Sequence, residues 1–244
     1  MRLIQMKKAF YIAKKDIKEY YLKPPTISWG ILFPLAFALT FVIRSRGDIH
    51  ELAPGLISLA LFFGTTSMAS ASIVFERRIG AFERLLLYPA SYLDIALGKV
   101  LSSFLFGTIS SIATIFLLIP LLKLKPLSIP LLIASIFSST FLFASFGVLL
   151  AFVSRDPFNA MTIFNSVRFP MIFLSGIFIP LTRLPPPLRA ISLLLPLTYS
   201  VEAIKYSVIG TCYLINPLIP FSLILILSLL FIFIIKQLIE RSVP

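Results

Sequence analysis

The sequence predicts an all-α membrane protein with six transmembrane helices, and three observations support that class. Its 244 residues are 58% hydrophobic and only 13% charged, whereas soluble domains average about 45–50% apolar and about 25% charged residues. Several apolar runs have about the 20 residues that a helix needs to cross a hydrocarbon core of about 30 Å. No run of about ten alternating apolar and polar residues suggests a transmembrane β-barrel, so helices are the structure that satisfies the backbone in lipid.

The six predicted spans are separated by connections that are too short to bury a core of their own. We therefore expect one transmembrane domain over residues 1–244. The spans run from Thr26–Ile43, Leu52–Val74, Val100–Leu122, Leu127–Val153, Phe158–Leu181 and Pro217–Ile235.

The distribution of basic residues predicts the orientation. If the N-terminus is inside, the cytoplasmic connections carry about twice as many Lys and Arg residues as the outer ones, as the positive-inside rule requires. Six spans then place both termini in the cytoplasm of a cell-membrane protein. The net charge of +12 follows from this topology, and the absence of a basic patch with interleaved aromatic residues argues against nucleic-acid binding.

The N-terminal segment, residues 4–23, reads as an amphipathic interfacial helix. We expect it to lie along the cytoplasmic membrane surface, because apolar and basic residues separate onto two faces at helical spacing. The apolar face would contain Met6, Phe10, Ala13, Ile17 and Tyr20, and the basic face would contain Lys7, Lys8, Lys14, Lys15 and Lys18.

Phe75–Lys99 is the longest cytoplasmic connection, and it contains an unexpected apolar run. A short helix from about Ala81 to Leu87, ended before Pro89, would present Phe82, Leu85 and Leu86 to a partner. Apolar patches with charged rims commonly mark partner surfaces, and Glu76, Glu83 and Arg84 would set the orientation by charge. The alternative is that these side chains lie among lipid headgroups.

The outer connection Thr182–Gly210 is too apolar for a solvated loop. Three prolines at 185–187 interrupt the chain, and Leu188–Leu195 and Tyr199–Val208 then resemble short apolar helices. We expect these helices to re-enter the membrane, because their leucines would otherwise expose a large apolar patch to water.

The sequence predicts no catalytic residues and no metal site. It lacks paired carboxylates, a zinc-binding helix motif and a Ser/Lys pair, and it contains one Cys and one His. Gly98-Lys99 lacks the other residues of a phosphate-binding loop, so any use of ATP needs a partner. An intramembrane enzyme is therefore disfavoured.

Two polar features lie inside predicted spans. Arg168 would either contact an anionic substrate along a pathway or reach toward the interface or a carboxylate. The small residues of the second span, from Gly64 to Ser72 and including Ser67, would serve helix packing, a permeation path or a seam between protomers.

Two groups of residues resemble the motifs of the ABC-2 type transporter permeases, the membrane subunits of daunorubicin-type drug exporters and polysaccharide exporters. The first group is Phe75-Glu76-Arg77-Arg78, Gly80, Phe82-Glu83-Arg84-Leu85-Leu86, Pro89 and Gly98-Lys99. The second group is Leu174-Ser175-Gly176, Pro180, Leu184-Pro185, Leu188, Leu195-Pro196-Leu197-Thr198-Tyr199 and Glu202-Ala203. Ala81, where the family most often has Thr, and Arg168 depart from the pattern.

The resemblance implies a permease subunit that exports an amphiphilic, drug-like or lipid-like molecule as a dimer, driven by two copies of a separate ABC ATPase. ATP and magnesium would bind to that partner, and this chain would bind no cofactor. The resemblance further implies a coupling helix in Phe75–Lys99 and a re-entrant gate on the outer face. The gate residues would be Pro180, Pro185, Leu194, Leu195, Pro196, Tyr199 and Glu202.

A secondary transporter driven by an ion gradient is the main alternative. Such proteins usually place carboxylates within their spans or use discontinuous helices at the midplane. Here nearly all ten acidic residues fall at span ends or in connections, which favours the ATP-driven exporter.

Overall fold

A computed structural model of the chain describes residues 2–44, 49–153, 157–214, 216 and 218–242, and it contains no strand in these ranges. The all-helical class is therefore confirmed. The helices are α1 (Arg2–Tyr20), α2 (Pro24–Ile27), α3 (Phe33–Arg44), α4 (Ile49–Arg78), α5 (Ala81–Leu86), α6 (Tyr92–Leu122), α7 (Ile129–Val153), α8 (Pro157–Leu174), α9 (Pro186–Leu194), α10 (Pro196–Ile209) and α11 (Leu218–Ser242). A π-helical turn, Ser28–Leu32, joins α2 to α3.

Five helical segments in the described part of the chain are long and apolar enough to cross a membrane. They are Pro24–Ile43, Ala53–Arg78, Tyr92–Leu122, Ile129–Val153 and Leu218–Glu240. They correspond to five of the six predicted spans. The predicted start of the last span at Pro217 lies outside the described residues.

The segment predicted as the fifth span differs from the other five. Helix α8 ends at Leu174, seven residues before the predicted end, and its shorter apolar part is Thr162–Leu174. The chain then turns at Gly176, whose φ of +84° lies in the left-handed region that glycine adopts without strain.

The central helix of the bundle is α4. The whole of its most apolar stretch is buried, whereas the corresponding stretches of the first and last spans are each 22% buried. Helices α6 and α7 pack along α4 through small residues. A Cβ atom on Gly107 of α6 would lie 2.1 Å from Cγ2 of Thr65, and one on Gly147 of α7 would lie 3.0 Å from Cβ of Ala69.

This packing accounts for one of the roles predicted for the small residues of the second span. They allow close approach of neighbouring helices within one protomer, and Ser110 adds hydrogen bonds to the carbonyl oxygens of Gly30 and, at 3.2 Å, Ala60. Because the side chains of this stretch are buried within the chain, a seam between protomers along them is wrong.

Two predicted boundaries shift because helices extend into the predicted connection Phe75–Lys99. Helix α4 continues four residues beyond Val74, and α6 begins at Tyr92, eight residues before Val100. A capping box at the start of α6 explains the second shift: Ser91 Oγ accepts from the Asp94 amide at 3.2 Å, and Asp94 Oδ2 accepts from the Ser91 amide at 2.9 Å.

Helix α1 packs against α6 with a face that includes Ala13 and Tyr20 of the predicted apolar face but is rotated away from Phe10. The residues buried by this contact are Ala9, Ile12, Ala13, Asp16 and Tyr20. Phe10, predicted on the apolar face, is 57% exposed, and the side chain of Met6 lies outside the described residues. Gly98 permits the contact, since a Cβ there would come within 2.7 Å of Cβ of Ile12.

The α4–α6 packing generates a stability prediction. We expect Gly107→Ala to destabilise the purified protein by about 1–3 kcal/mol, because the new methyl group has no space beside Thr65. Thermal unfolding in detergent measures the effect. Ile109→Val is the control, since Ile109 is 49% exposed on the same helix and should change stability by less than about 0.5 kcal/mol. Equal midpoints for the two variants would contradict the close packing.

Candidate functional site

The residues predicted to couple the chain to a partner lie around helix α5. Gly80 has a φ of +66° and lies at the N-terminal end of α5, where it turns the chain after α4 ends at Arg78. The predicted short helix is confirmed, with its end at Leu86 instead of Leu87. Glu83, Arg84 and Pro89 are exposed around it.

The prediction that Phe82 projects toward a partner is wrong. Its side chain is 2% exposed, and its ring lies 5.3 Å from that of Phe152 in α7. The guanidinium of Arg77 lies 5.3 Å from the Phe82 ring centre and 4.9 Å from that of Phe152. Phe82 therefore anchors α5 to the bundle, and Leu85 and Leu86 are half-buried in the same cluster.

Other residues supply the exposed apolar surface. Ile79, Leu87 and Tyr88 are 66%, 87% and 58% exposed. We call them, together with the exposed charged residues around them, the α5 surface. It consists of Arg78, Ile79, Glu83, Arg84, Leu87 and Tyr88.

A groove of about 680 Å³ adjoins the α5 surface. It runs between the end of α1, the start of α2 and the end of α4, and Ile79 belongs to both features. Its lining includes the basic residues Lys18 and Lys23 and the aromatic residues Tyr20 and Phe75. The groove and the surface together form a continuous region that is apolar and of mixed charge, since Glu19 lines the groove and Glu83 belongs to the surface.

Glu76, predicted to orient a partner, is instead buried in a charged network. The network consists of Lys15, Asp16, Glu76 and Lys99. Lys99 Nζ lies 3.0 Å from Asp16 Oδ2 and 2.6 Å from Glu76 Oε2, and all three side chains are fully buried. Lys15, which is 34% exposed, pairs with the same two carboxylates.

The network joins three helices at the end of the bundle where α5 lies. Asp16 belongs to α1, Glu76 to the end of α4 and Lys99 to α6. Burial raises the pKa of the Asp16 carboxyl to about 6, although the neighbouring lysines act in the opposite direction. Burial lowers the pKa of Lys15, but the charges of Asp16 and Glu76 outweigh this effect, so its pKa is raised overall.

The sequence analysis missed this network, although one signal was available. Asp16 shares a helical face with Ala9, Ile12, Ala13 and Tyr20. A carboxylate therefore lies on the face of α1 that packs against the bundle. Such a carboxylate needs a cation as a partner when it is buried. Which cation approached it depended on the packing of α1 on α6.

Arg168, the predicted pathway residue, is buried in α8 beside α4. It is 3% exposed, its Nε donates to Thr66 Oγ1 at 2.9 Å, and its Nη2 donates to Ser67 Oγ at 3.3 Å. The guanidinium also lies 5.1 Å from the ring centre of Phe63 and 5.0 Å from that of Phe164.

The alternative in which Arg168 pairs with a carboxylate is wrong for the residues that the structure describes, since it forms no ion pair there. The guanidinium instead lines a cavity of about 230 Å³ between the first span, α4 and α8. We call this the Arg168 cavity. Its lining residues are Pro25, Trp29, Ser67, Ser70, Ala71, Asn165 and Arg168.

The predicted gate residues form a connected structure between α8 and α11. Pro185 immediately precedes α9 and Pro196 begins α10; these helices correspond to the two predicted short helices, and Pro180 precedes a 3₁₀ turn. Leu195 joins the two helices. Tyr199 donates its hydroxyl hydrogen to the carbonyl oxygen of Leu193.

Further hydrogen bonds hold this connection together. Arg189 donates to the carbonyl oxygens of Leu181, Thr182 and Leu184 at 3.0, 2.9 and 3.0 Å. Glu202, 2% exposed, accepts from the amide of Tyr213. Leu197 is fully buried while Leu194 is 81% exposed, so α10 lies inside the bundle and α9 covers its outside.

The charged network generates the second prediction. We expect Lys99→Met to destabilise the protein by about 3–5 kcal/mol, because it removes the fully buried cation and leaves two buried carboxylates with Lys15 alone to balance them. Lys236→Met is the control: its pair with Glu240, at 3.4 Å, is 45% and 42% exposed, and such pairs contribute about 0–1 kcal/mol.

A triple variant separates the charge effect from lost packing. Neutralising the three fully buried members with Asp16→Asn, Glu76→Gln and Lys99→Met should recover part of the stability, since the one remaining charge, Lys15, is 34% exposed. Thermal unfolding in detergent measures all three proteins. A Lys99→Met midpoint equal to that of Lys236→Met would exclude the network as a stabilising element.

Comparison with known proteins supports the family suggested by the motifs. The ABC-2 type transporter family profile matches residues 8–209. A putative transport permease, ycf38, from Cyanophora paradoxa is 25% identical over 214 residues, which cover 81% of this chain and 72% of that protein.

Two further relatives are longer than the matched region. The probable multidrug ABC transporter permease YbhS of Escherichia coli is 26% identical over 163 residues, covering 64% of this chain and 42% of that protein. ABC transporter G family member 20 of Dictyostelium discoideum is 29% identical over 160 residues, covering 64% of this chain and 22% of that protein. The profile match extends from α1 through α10 and includes α5, the charged network and the Arg168 cavity, and the chain therefore belongs to the ABC-2 type transporter family of membrane subunits.

Proposed function

We propose that this chain is the permease subunit of an ATP-driven exporter in the cell membrane. Two copies would form the translocation pathway and would bind two copies of a separate ABC ATPase, which holds ATP and magnesium. The α5 surface is the observation that carries this proposal. It presents three exposed apolar side chains beside Arg78, Glu83 and Arg84 at one end of a membrane-protein bundle, which is the composition expected of a partner interface.

The architecture supports transmission of a movement from that surface. Phe82 fixes α5 to Phe152 of α7, and the charged network includes Glu76 near the end of α4. A displacement of α5 by a bound ATPase would therefore act on α4, α6 and α7 together. Glu76 would contribute by holding these helices to α1 instead of touching the partner.

We also propose six spans, with α8 as the fifth. Its 18 residues would extend about 27 Å at 1.5 Å per residue, close to the hydrocarbon thickness of about 30 Å. Both termini would then lie in the cytoplasm, and α9 and α10 would form an outer re-entrant gate. The exported molecule would be amphiphilic and drug-like or lipid-like; one relative is named a probable multidrug ABC transporter permease.

The ion-gradient alternative finds less support in the described residues. The buried carboxylates Asp16 and Glu76 are each paired with lysines, Asp94 is part of a helix cap, and Glu202 accepts a backbone hydrogen bond. A proton- or sodium-coupled carboxylate would need to exchange its partner during transport.

Substitution of the α5 surface tests ATPase coupling. We expect Leu87→Ala combined with Tyr88→Ala to weaken binding of the cognate ATPase at least tenfold, because each truncation removes about 1–2 kcal/mol of interface contact. Co-purification of the two subunits and ATP-driven transport in proteoliposomes provide the measurements.

The matched control is Leu225→Ala combined with Leu229→Ala. These two leucines are 58% and 59% exposed on α11, away from α5, and their loss should leave ATPase binding unchanged. Unchanged ATPase binding in the Leu87/Tyr88 variant would remove the α5 surface as the docking site. A purified complex with one permease and one ATPase would contradict the dimer.

Cysteine labelling tests the gate. Cys212 is the only cysteine of the chain, so a Cys212→Ser background gives single-cysteine proteins. We expect Leu194→Cys and Leu197→Cys to resist a membrane-impermeant maleimide added outside intact cells, because lipid covers the first and the bundle buries the second.

Thr211→Cys serves as the accessible control, since Thr211 is exposed just after α10. It should react at least tenfold faster than the other two positions. Rapid labelling at both Leu194 and Leu197 would contradict an embedded, closed gate, and no labelling at Thr211 would contradict its outer location.

A further inference from the structure

We propose that the Arg168 cavity binds the anionic headgroup of the amphiphilic molecule that the protein exports. This inference rests on the proposed function and adds a substrate class to it, namely single-chain or multi-chain amphiphiles that carry a phosphate, sulfonate or carboxylate.

The Arg168 cavity is positively charged. Arg168 is 3% exposed. Among the described residues, its hydrogen-bond partners are the hydroxyl groups of Thr66 and Ser67. Hydroxyl oxygens and the faces of Phe63 and Phe164 partly solvate the cation. They do not neutralise it, and a buried charge without a counter-charge is costly in a membrane protein.

The polar groups that line the cavity suit an anionic headgroup. The guanidinium is a planar donor that binds phosphate and carboxylate oxygens through two parallel hydrogen bonds. Ser67 and Asn165 line the same cavity and provide neutral polar groups beside it. A volume of about 230 Å³ accommodates a headgroup, whereas the acyl or aromatic part of an amphiphile would have to lie outside.

The cavity lies against the first span. Trp29 and Pro25 form one wall of the cavity, and Trp29 is 39% exposed on the first span, which is only 22% buried. The apolar part of a bound amphiphile would therefore leave the cavity along the exposed surface of a membrane-spanning helix. This geometry fits an amphiphile whose headgroup lies in the bundle and whose tail lies in lipid.

Trp29 also makes the proposal measurable, because it is the only tryptophan of the chain. A bromine atom on a bound amphiphile quenches tryptophan fluorescence at contact distance. The purified permease, without its ATPase, would be placed in vesicles of zwitterionic lipid, which add no other protein. It would then be titrated at pH 8 with 4-bromoundecyl phosphate or with 4-bromoundecanol, which has the same chain and no charge; the bromine near the headgroup end lies within reach of Trp29 when the headgroup occupies the cavity.

We expect saturable quenching by the phosphate with an apparent affinity at least tenfold higher than that of the alcohol. In Arg168→Met this preference should disappear, and in Arg168→Lys, which keeps the charge and loses the planar donor, it should fall to an intermediate value. Lys236→Met, which removes an exposed charge on α11, should behave as the parent protein. Equal affinities for phosphate and alcohol in the parent protein would overturn the proposal.

Competition in the parent protein provides a test that does not depend on the folding of any variant. Unbrominated undecyl phosphate should relieve the quenching, and undecyltrimethylammonium should not. Relief by both to the same extent would show that the site selects chains rather than anions and would also overturn the proposal.

The ATPase complex distinguishes a transported amphiphile from a resident anionic lipid. Undecyl phosphate should stimulate ATP hydrolysis by the parent complex and not by the Arg168→Met complex. Binding without stimulation, in a complex that hydrolyses ATP and transports, would assign the cavity to a structural lipid and overturn the substrate assignment. A permease that binds the phosphate selectively but captures no ATPase would contradict the proposed function and leave anion binding intact.

Discussion

The close approach of α6 and α7 to α4 is the constraint on which the rest of the structure depends. Gly107 and Gly147 present no side chain where they meet Thr65 and Ala69, so the backbones of three long helices come together along a buried axis. In a bilayer, apolar side chains gain little by moving from lipid into protein, and packing at short range provides much of the attraction. The remaining helices then arrange themselves around that axis.

The same close packing determines where polar groups can be placed. Hydroxyls on α4 bond back to their own helix, as Thr65 does to the carbonyl oxygen of Leu61 at 2.7 Å, so they do not need partners on other helices. The Thr66 hydroxyl likewise donates to the carbonyl oxygen of Phe62, and the hydroxyl oxygens of Thr66 and Ser67 also accept hydrogen bonds from the guanidinium of Arg168 in α8. Helix α4 thus provides both the buried centre of the bundle and one wall of a charged cavity.

The two clusters of buried charge differ in a way that bears on their roles. The network of Lys15, Asp16, Glu76 and Lys99 contains two cations and two carboxylates, so it is balanced, and it ties α1, α4 and α6 together. A balanced buried set acts as a structural joint when its partners are all present. Arg168 has no such balance among the described residues, and an unbalanced charge beside a cavity has the properties of a binding group.

The sequence alone determined the helical class, five of the spans, the short helix after Gly80 and the two helices that follow Pro185. These features depend on local quantities: the length of an apolar run, a proline that ends a helix and a glycine that turns the chain. It also identified Arg168 as an unusual charge within an apolar segment. Only the tertiary structure decided what each side chain meets. Phe82 turned inward to Phe152, Glu76 joined Lys99 across 23 residues of chain, and the buried face of α1 rotated away from Phe10. The helical period leaves several similar faces available on a short amphipathic segment, and the choice among them is made by the shape and charge of the neighbouring helices, which a single chain segment does not encode.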